Sequence, residues 1–287
     1  MKDLPIGMFD SGLGGLTVMQ QIVRALPYED ILYFGDTARL PYGEKSPETV
    51  VRYSLENAAF LIQKQIKMLI VACNTASAHA LAKLQERLSI PVIGVLIPGA
   101  ESAVKTSRTG RIGVLGTKGT IASQAYEKAI LNEDPLCCPT SVACPLFVPL
   151  VEEGWTLHPA ARLIVQEYLK PIIEAKVDTL LLGCTHYPFL KDLIRSEIGD
   201  QVAIVDSADS CAQKVLELLL SMRLQKESGK PSVHRFFVSD DPKRFQSVGS
   251  GFLGRAIQHV ELVSLPEIVS FPIPLPVPVP MPVPDLI

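Results

Sequence analysis

The sequence predicts an α/β protein with two similar lobes, each a mostly parallel sheet flanked by helices, and with the active site in the cleft between the lobes. Short apolar runs alternate with helical patterns along the chain, and one block of strand, polar turn and helix occurs twice. Each copy also carries a cysteine at the end of an apolar run, at Cys73 and at Cys184. Open α/β sheets bind their ligands at the carboxyl ends of the strands, so both thiols are expected at a functional edge.

The strand predictions follow the chain in order. Short apolar segments predict strands at IGMFD, ILYFGD, MLIVAC, VIGVL, RIGVLG, VACPLF, TLLLGC and QVAIVD. Their alternation with helical patterns is typical of parallel sheets with crossover helices. A helix over residues 208–224, then a strand and a helix within RFFVSDDPKRFQSVGSGFLG, predict a return to the first lobe. The predicted first lobe is therefore 1–96 plus 207–271, and the second is 97–206.

The internal repeat relates the polar turns as well as the thiols. Aligning Ile6 with Ile112 places Ser11 on Thr117, and nearly the same offset separates the two cysteines. If the lobes face each other, one thiol lies on each wall of the cleft, and hydroxyls from both lobes are candidates for binding a substrate carboxylate.

A cleft with a thiol on each wall suits inversion of a stereocentre. One group removes a proton from one face of the substrate, and the other delivers a proton to the opposite face. The ordinary thiol pKa of about 8.5 leaves thiol and thiolate both accessible near neutrality. An α-helix beginning directly after each cysteine is expected to favour the thiolate.

The same residues carry a resemblance to a known family. The segments FDSGLGGLTV, the PYG of residues 41–43, ACNTAS, FVPLVEEG and LGCTHYP occur in the order found in the cofactor-independent glutamate racemases of the aspartate/glutamate racemase family. The resemblance spans about residues 4–255. It implies an isomerase that interconverts L- and D-glutamate without a cofactor and supplies D-glutamate for peptidoglycan synthesis.

The resemblance also assigns roles to individual residues. It implies that Cys73 and Cys184 are the acid/base thiols and that Asp10, Glu152 and His186 assist proton transfer. From the residues alone, neither Glu152 nor its neighbour Glu153 is preferred. The substrate-binding residues that we expect are Asp10, Ser11, Pro41, Tyr42, Gly43, Asn74, Thr75, Thr117, Thr185 and His186.

Composition restricts the partners. The formal net charge is −3, so the chain lacks the basic field that nucleic-acid binding requires. No apolar run reaches the length of a membrane span, and Asp10 interrupts the N-terminus before a signal-peptide core, which leads us to expect a cytoplasmic enzyme. The expected partner is small-molecule glutamate, with neither nucleic acid nor membrane, and a homodimer is compatible with the sequence.

The remaining cysteines are expected to be reduced and to serve packing. Cys137, Cys138 and Cys144 cluster before FVPLVEEG without the spacing of a zinc site, so no metal is expected. Cys211 lies in an amphipathic helical pattern typical of buried packing.

The glycine-rich turn after the first strand has alternative interpretations. Gly12, Gly14 and Gly15 resemble a dinucleotide-binding fingerprint, but Thr17 replaces its third glycine. Asp10 would also place a carboxylate beside the phosphates. Helix capping by Asp10 and Ser11 is a second alternative, and it is compatible with substrate contact.

Two other functions remain open from the sequence. One is an α/β enzyme that uses a single thiol for decarboxylation or another isomerisation. The other is a non-catalytic protein whose lobes close on a small amino acid.

Residues 272–287 lie outside the resemblance. Proline at every second position from Pro272 to Pro284 precludes helix and interior sheet. This pattern predicts an extended tail whose deletion leaves racemisation intact.

Overall fold

The computed structural model describes residues 2–227, 229 and 231–265. The predicted proline-rich tail lies outside these residues. Strands and helices alternate along the described chain and form two sheets, each composed of parallel strands. The fold class predicted from the sequence is confirmed.

The first sheet has six strands in the order β10-β9-β2-β1-β3-β4. Its core strands are buried on both faces, which is why their sequences are almost entirely apolar. The strands are β1 Ile6–Asp10, β2 Ile31–Gly35, β3 Met68–Val71, β4 Val92–Gly94, β9 His234–Val238 and β10 Val260–Leu262.

The second sheet has four strands in the order β6-β5-β7-β8. They are β5 Arg111–Gly116, β6 Cys138–Ala143, β7 Thr179–Gly183 and β8 Ala203–Asp206. The order β2-β1-β3-β4 within the first sheet matches β6-β5-β7-β8, so β1 corresponds to β5 and β3 to β7. The sequence repeat therefore corresponds to a repeated strand topology. The chain boundaries predicted for the lobes stay a prediction.

Helices flank both sheets. They are α1 Leu16–Ala25, α2 Pro47–Gln63, α3 Asn74–Arg87, α4 Leu96–Thr106, α5 Lys118–Ala122, α6 Ala125–Glu133, α7 Phe147–Glu152, α8 Pro159–Glu174, α9 Lys191–Ile198, α10 Ser207–Ser221 and α11 Pro242–Leu253. Helix α10 packs against both α1 and α4. Among the described residues, no helix has the length and apolar character that crossing a membrane requires.

One strand prediction needs correction, and one observed strand was not predicted. The strand predicted at VACPLF lies earlier, at β6, and the apolar residues after Pro145 instead begin α7. Strand β6 is at the edge of its sheet and mostly half-buried, so its sequence CPTSVA lacks the apolar run that marks the inner strands. Strand β10 was not predicted because it is a three-residue edge strand.

Candidate active site

Cys73 lies at the junction of β3 and α3. It caps α3, and its Sγ accepts a hydrogen bond from the backbone N–H of Ala76 at 3.5 Å. The Ser11 hydroxyl, in the turn after β1, lies 3.8 Å from the same sulfur. The capping sulfur faces the positive end of the helix dipole, and the Ala76 N–H acts to lower the pKa of this thiol, but burial outweighs that effect.

Cys184 follows β7, but no α-helix begins directly after it. A 3-10 helix spans Tyr187–Leu190, and α9 begins only at Lys191. An α-helix starting at Thr185 would need a backbone N–H from Pro188, which has none. The expectation of a helix directly after each thiol is therefore correct for Cys73 and wrong for Cys184.

His186 takes the place of a helix terminus at the second thiol. Its Nδ1 lies 3.9 Å from Sγ of Cys184, and its Nε2 lies 3.1 Å from Oε1 of Glu152. The Glu152 side chain is 11% exposed whereas that of Glu153 is 69% exposed, so Glu152 is the one that turns inward. Thiol, imidazole and carboxylate thus form a linear series on one wall only.

The electrostatics of the two thiols also differ. Burial, followed by the nearby Asp10 carboxylate, raises the pKa of Cys73 to about 12. Burial on its own would lower the pKa of His186, but its hydrogen bonds with Cys184 and Glu152 outweigh this and raise it to about 10. Burial opposes ionisation of Glu152, yet His186 brings its pKa below the ordinary value. An imidazolium–carboxylate pair therefore stands beside Cys184 at neutral pH.

Both thiols line one narrow cavity between the sheets. Its lining residues are Ser11, Gly12, Leu40, Pro41, Tyr42, Gly43, Cys73, Asn74, Thr75, Thr117, Val148, Glu152, Cys184, Thr185 and His186. The volume, about 30 Å³, has room for about two water molecules. An amino acid needs more space, so the lobes must separate to admit one.

The lobes meet through polar contacts at this cavity. Oγ1 of Thr75 lies 2.9 Å from Oγ1 of Thr117, and the Tyr126 hydroxyl donates to Oδ1 of Asn74 at 2.5 Å. Thr75 and Asn74 belong to α3, whereas Thr117 and Tyr126 belong to the segment after β5. The structure is therefore a closed form of the cleft.

Two buried polar atoms at the site have no hydrogen-bond partner among the residues that the structure describes. They are Oδ1 of Asp10 and Nδ2 of Asn74. Leaving such an atom unpaired costs about 1–3 kcal/mol, so each is a candidate for contact with a bound ligand once the cleft opens. Burial raises the pKa of Asp10, against the lowering influence of His186 and of backbone N–H groups.

Asp10 differs from the other predicted site residues because it does not line the cavity. Its Oδ2 accepts the backbone N–H of Gly12 at 2.9 Å. Helix α1 begins at Leu16 and has no side-chain cap, so the capping alternative for Asp10 and Ser11 is wrong.

Tyr42 contributes to the site while its hydroxyl lies away from it. The hydroxyl donates to Asp36 and accepts from Nδ2 of Asn57 at 2.9 Å, and the residue is 1% exposed. Because the Tyr42 ring is fixed in the core, the Pro41–Gly43 segment presents mainly its main-chain atoms to a substrate.

Three lining residues were not predicted: Gly12, Leu40 and Val148. Each lies in or beside one of the segments that resemble the family. Gly12 is in FDSGLGGLTV, Leu40 directly precedes PYG, and Val148 is in FVPLVEEG. That proximity is the only signal that could have identified them.

The remaining cysteines lie outside this cavity. Cys137, Cys144 and Cys211 are buried and Cys138 is exposed, and all are free thiols. Across residues 2–227, 229 and 231–265, no group of three or more His, Cys, Asp or Glu side chains is placed to hold a metal ion.

Known proteins resemble the chain over nearly its full length. A glutamate racemase of Geobacter metallireducens is 56% identical over 260 residues, which cover 91% of this chain and 96% of the relative. The glutamate racemase isoform RacE1 of Bacillus anthracis superposes with a TM-score of 0.90 at 43% identity, covering 93% of this chain and 99% of that one. A glutamate racemase of Francisella tularensis, solved in complex with D-glutamate, gives a TM-score of 0.87 at 39% identity, covering 92% and 99%.

The family match covers both cysteines, strands β1 to β4 of the first sheet and the whole second sheet. Residues 6–215 match the family described as Asp/Glu/Hydantoin racemase. Together with the 56% identical relative, this extent shows that the chain belongs to the Asp/Glu/Hydantoin racemase family and is an isomerase.

Proposed function

We propose that this enzyme interconverts L- and D-glutamate by proton transfer at the α-carbon, with Cys73 and Cys184 as the two bases. The observation that carries the proposal is that thiols from equivalent positions after β3 and β7 line one cavity. One thiolate removes the α-proton while the opposite thiol delivers a proton to the other face. Each turnover leaves the two protonation states exchanged.

The closed site supports the two thiolates by different means. The N-terminal end of α3 and the Ala76 N–H face Cys73, whereas the His186 imidazolium faces Cys184. Because only one sulfur is charged at a time, each wall stabilises the anion at a different stage of the reaction. Asp10 and Glu152 are proposed to assist through the ammonium group and through His186, respectively.

Thiolate basicity alone cannot account for turnover. A rate of about 10 per second corresponds to a barrier of about 16 kcal/mol, and each pKa unit between carbon acid and base adds about 1.4 kcal/mol. Hydrogen bonds that strengthen as negative charge builds on the substrate carboxylate must supply the difference. We assign this to the hydroxyls of Ser11, Thr75 and Thr185 and to the amide of Asn74, with Thr117 and the Pro41–Gly43 main chain completing the wall.

The choice of glutamate rests on relatives. The Geobacter metallireducens protein is named a glutamate racemase, and the Francisella tularensis structure contains D-glutamate. The corresponding role proposed for this chain is to supply D-glutamate for peptidoglycan synthesis, without a cofactor.

The test follows α-proton exchange in deuterium oxide. Purified protein with L-glutamate and no added cofactor should lose optical rotation to zero, whereas L-aspartate should react much more slowly. Early in the reaction, D-glutamate should carry deuterium at the α-carbon while the remaining L-glutamate stays unlabelled, because separate thiols serve the two faces. No loss of rotation would exclude the activity, and label in the early L-glutamate pool would exclude the two-base mechanism.

Single variants assign the bases. Cys73→Ser and Cys184→Ser should each reduce racemisation at least about 1000-fold with substrate binding retained. Cys138→Ser, which alters an exposed cysteine away from the cavity, is the matched control. A single-thiol enzyme would retain activity in one of the two variants, and a binding protein would show no turnover in any of them.

A further inference from the structure

Arg244 joins the two lobes at the mouth of the cleft. It lies in the first turn of α11, beside the first sheet, and one guanidinium nitrogen is 3.5 Å from Oε2 of Glu152. The same nitrogen is 3.6 Å from Oε1 of Glu153. Glu152 ends α7, which follows β6 of the second sheet. The ion pair therefore exists only while the two lobes are close together.

The two carboxylate oxygens of Glu152 contact different residues. Oε1 contacts Nε2 of His186 at 3.1 Å and Oε2 contacts Arg244, while Nδ1 of His186 faces Cys184. A continuous series thus runs from a half-exposed guanidinium at the surface to a buried thiol. Moving Arg244 away removes one of the two contacts that orient the carboxylate.

The same ion pair lies where the inner cavity meets the outside. Two outer depressions, of about 290 and 230 Å³, both include Arg244 and Glu152 in their walls. Glu152 also lines the inner cavity of about 30 Å³. Because the inner cavity is too small to admit a substrate, entry must separate these walls and break the pair.

We propose that Arg244 is a positioning residue that couples closure of the cleft to the alignment of Glu152 on His186. The proposal rests on the proposed function, because it concerns the support of Cys184 during proton transfer. Partly exposed ion pairs contribute little to stability, so this one can form and break at every turnover. In the closed form it fixes the carboxylate, the carboxylate fixes the imidazole, and the imidazole faces the thiol.

The test compares Arg244→Gln and Arg244→Lys with Lys243→Ala, a change at the neighbouring exposed cation on the same helix. Arg244→Gln should lower kcat for L-glutamate about tenfold with a smaller change in KM, because the contact is made in the closed form. Arg244→Lys should recover part of the loss. Lys243→Ala should behave as wild type, and all three should keep the wild-type thermal midpoint.

A double variant separates positioning from a general structural role. In a Glu152→Gln background, Arg244→Gln should cause no further loss, because the residue through which it acts is already changed. If the kcat losses of the two single variants multiply in the double variant, Arg244 does not act through Glu152. An unchanged kcat in Arg244→Gln, with an active wild type, would also overturn the role of Arg244. Both results would leave the proposed function standing. A wild-type protein without glutamate turnover would overturn both.

Discussion

Gly14 and His186 are in direct contact across the cleft. A Cβ atom added at Gly14 would lie 2.5 Å from Nδ1 of His186 and 2.2 Å from Oγ1 of Thr185. Thr17, where a dinucleotide-binding fingerprint would have its third glycine, instead donates a hydrogen bond to the Thr185 carbonyl at 3.0 Å. The glycine-rich turn is thus a packing surface for the second lobe, which argues against the nucleotide interpretation.

Gly14→Ala should inactivate the enzyme while leaving it folded. The methyl group requires His186 and Thr185 to move, and displacement of a catalytic group by about 1 Å can cost about 100-fold in rate. We expect kcat/KM for L-glutamate to fall by about that factor. The measurement is the initial rate of racemisation, with circular dichroism to confirm folding.

The control for this change is Gly251→Ala. Gly251 is an exposed residue in α11, and a Cβ atom there meets no atom of the described part of the chain within 4 Å. Because alanine favours helix over glycine by about 1 kcal/mol, this variant should be fully active and equally or more stable. Full activity of Gly14→Ala would show that His186 tolerates displacement, contrary to its place in the site.

The positions of both thiols could be predicted because their signal is local. Buried parallel strands are apolar on both faces, so the runs MLIV and TLLLG predict strands. The residues that directly follow such strands lie at the functional edge of the sheet. The repeated topology followed from the similarity of the segments around Ile6 and Ile112. Local pattern and burial agree in all of these elements.

The remaining features depend on contacts between residues distant in sequence. Glu152 and Glu153 are equivalent as a dipeptide, and only packing against His186 distinguishes them. Arg244 meets Glu152 across 92 positions of sequence, without a local signal. The absence of an α-helix directly after Cys184 could have been predicted from the sequence, because Pro188 has no backbone N–H to donate.

The charged pair beside Cys184 should contribute an acid limb and an alkaline limb to the pH dependence. With the pKa of His186 at about 10 and that of Glu152 below its ordinary value of 4.5, the pair stays ionised across the neutral range. The contribution of this pair to kcat/KM should rise as Glu152 ionises in acid, stay level through neutrality and be lost near about pH 10 as His186 loses its proton. The measurement is the racemisation rate from about pH 4 to 11 at constant ionic strength.

Glu152→Gln tests the origin of the alkaline limb. Since Glu152 helps to raise the pKa of His186, removing its charge should move that limb to lower pH. His186→Asn should abolish the limb along with most of the activity. An alkaline limb at the same pH in wild type and Glu152→Gln would contradict the assignment.

The hydroxyl of Tyr42 should matter for binding through the loop that it anchors. It connects Asp36 to Asn57, which holds the Pro41–Gly43 segment against the cavity. Tyr42→Phe removes both hydrogen bonds and should cost about 1–3 kcal/mol of stability while raising KM more than it lowers kcat. Tyr28→Phe, at a side chain that is 45% exposed, is the control and should change neither. A wild-type KM in Tyr42→Phe would show that the loop keeps its position without the hydroxyl.

The carboxylate of Asp10 has opposite effects on the reactivity of Cys73 and on turnover. After burial, it is the next cause of the raised pKa of Cys73, about 12. The pKa of Cys211 is also raised to about 12, but there burial alone is responsible. Cys211 therefore serves as an internal reference that does not depend on Asp10.

Asp10→Asn should make Cys73 easier to alkylate and the enzyme slower. Removing the negative charge lowers the pKa of Cys73, so more thiolate is present at a given pH and alkylation is faster, although the lower basicity of the thiolate offsets part of the gain. Racemisation should fall about 100-fold, because a neutral amide neither binds the substrate ammonium as a counter-ion nor accepts its proton. Iodoacetamide labelling followed by peptide mass spectrometry measures Cys73 and Cys211 in the same sample. Equal acceleration at both cysteines would mean that the substitution opens the fold, and an unchanged rate at Cys73 would mean that the carboxylate does not act on that thiol.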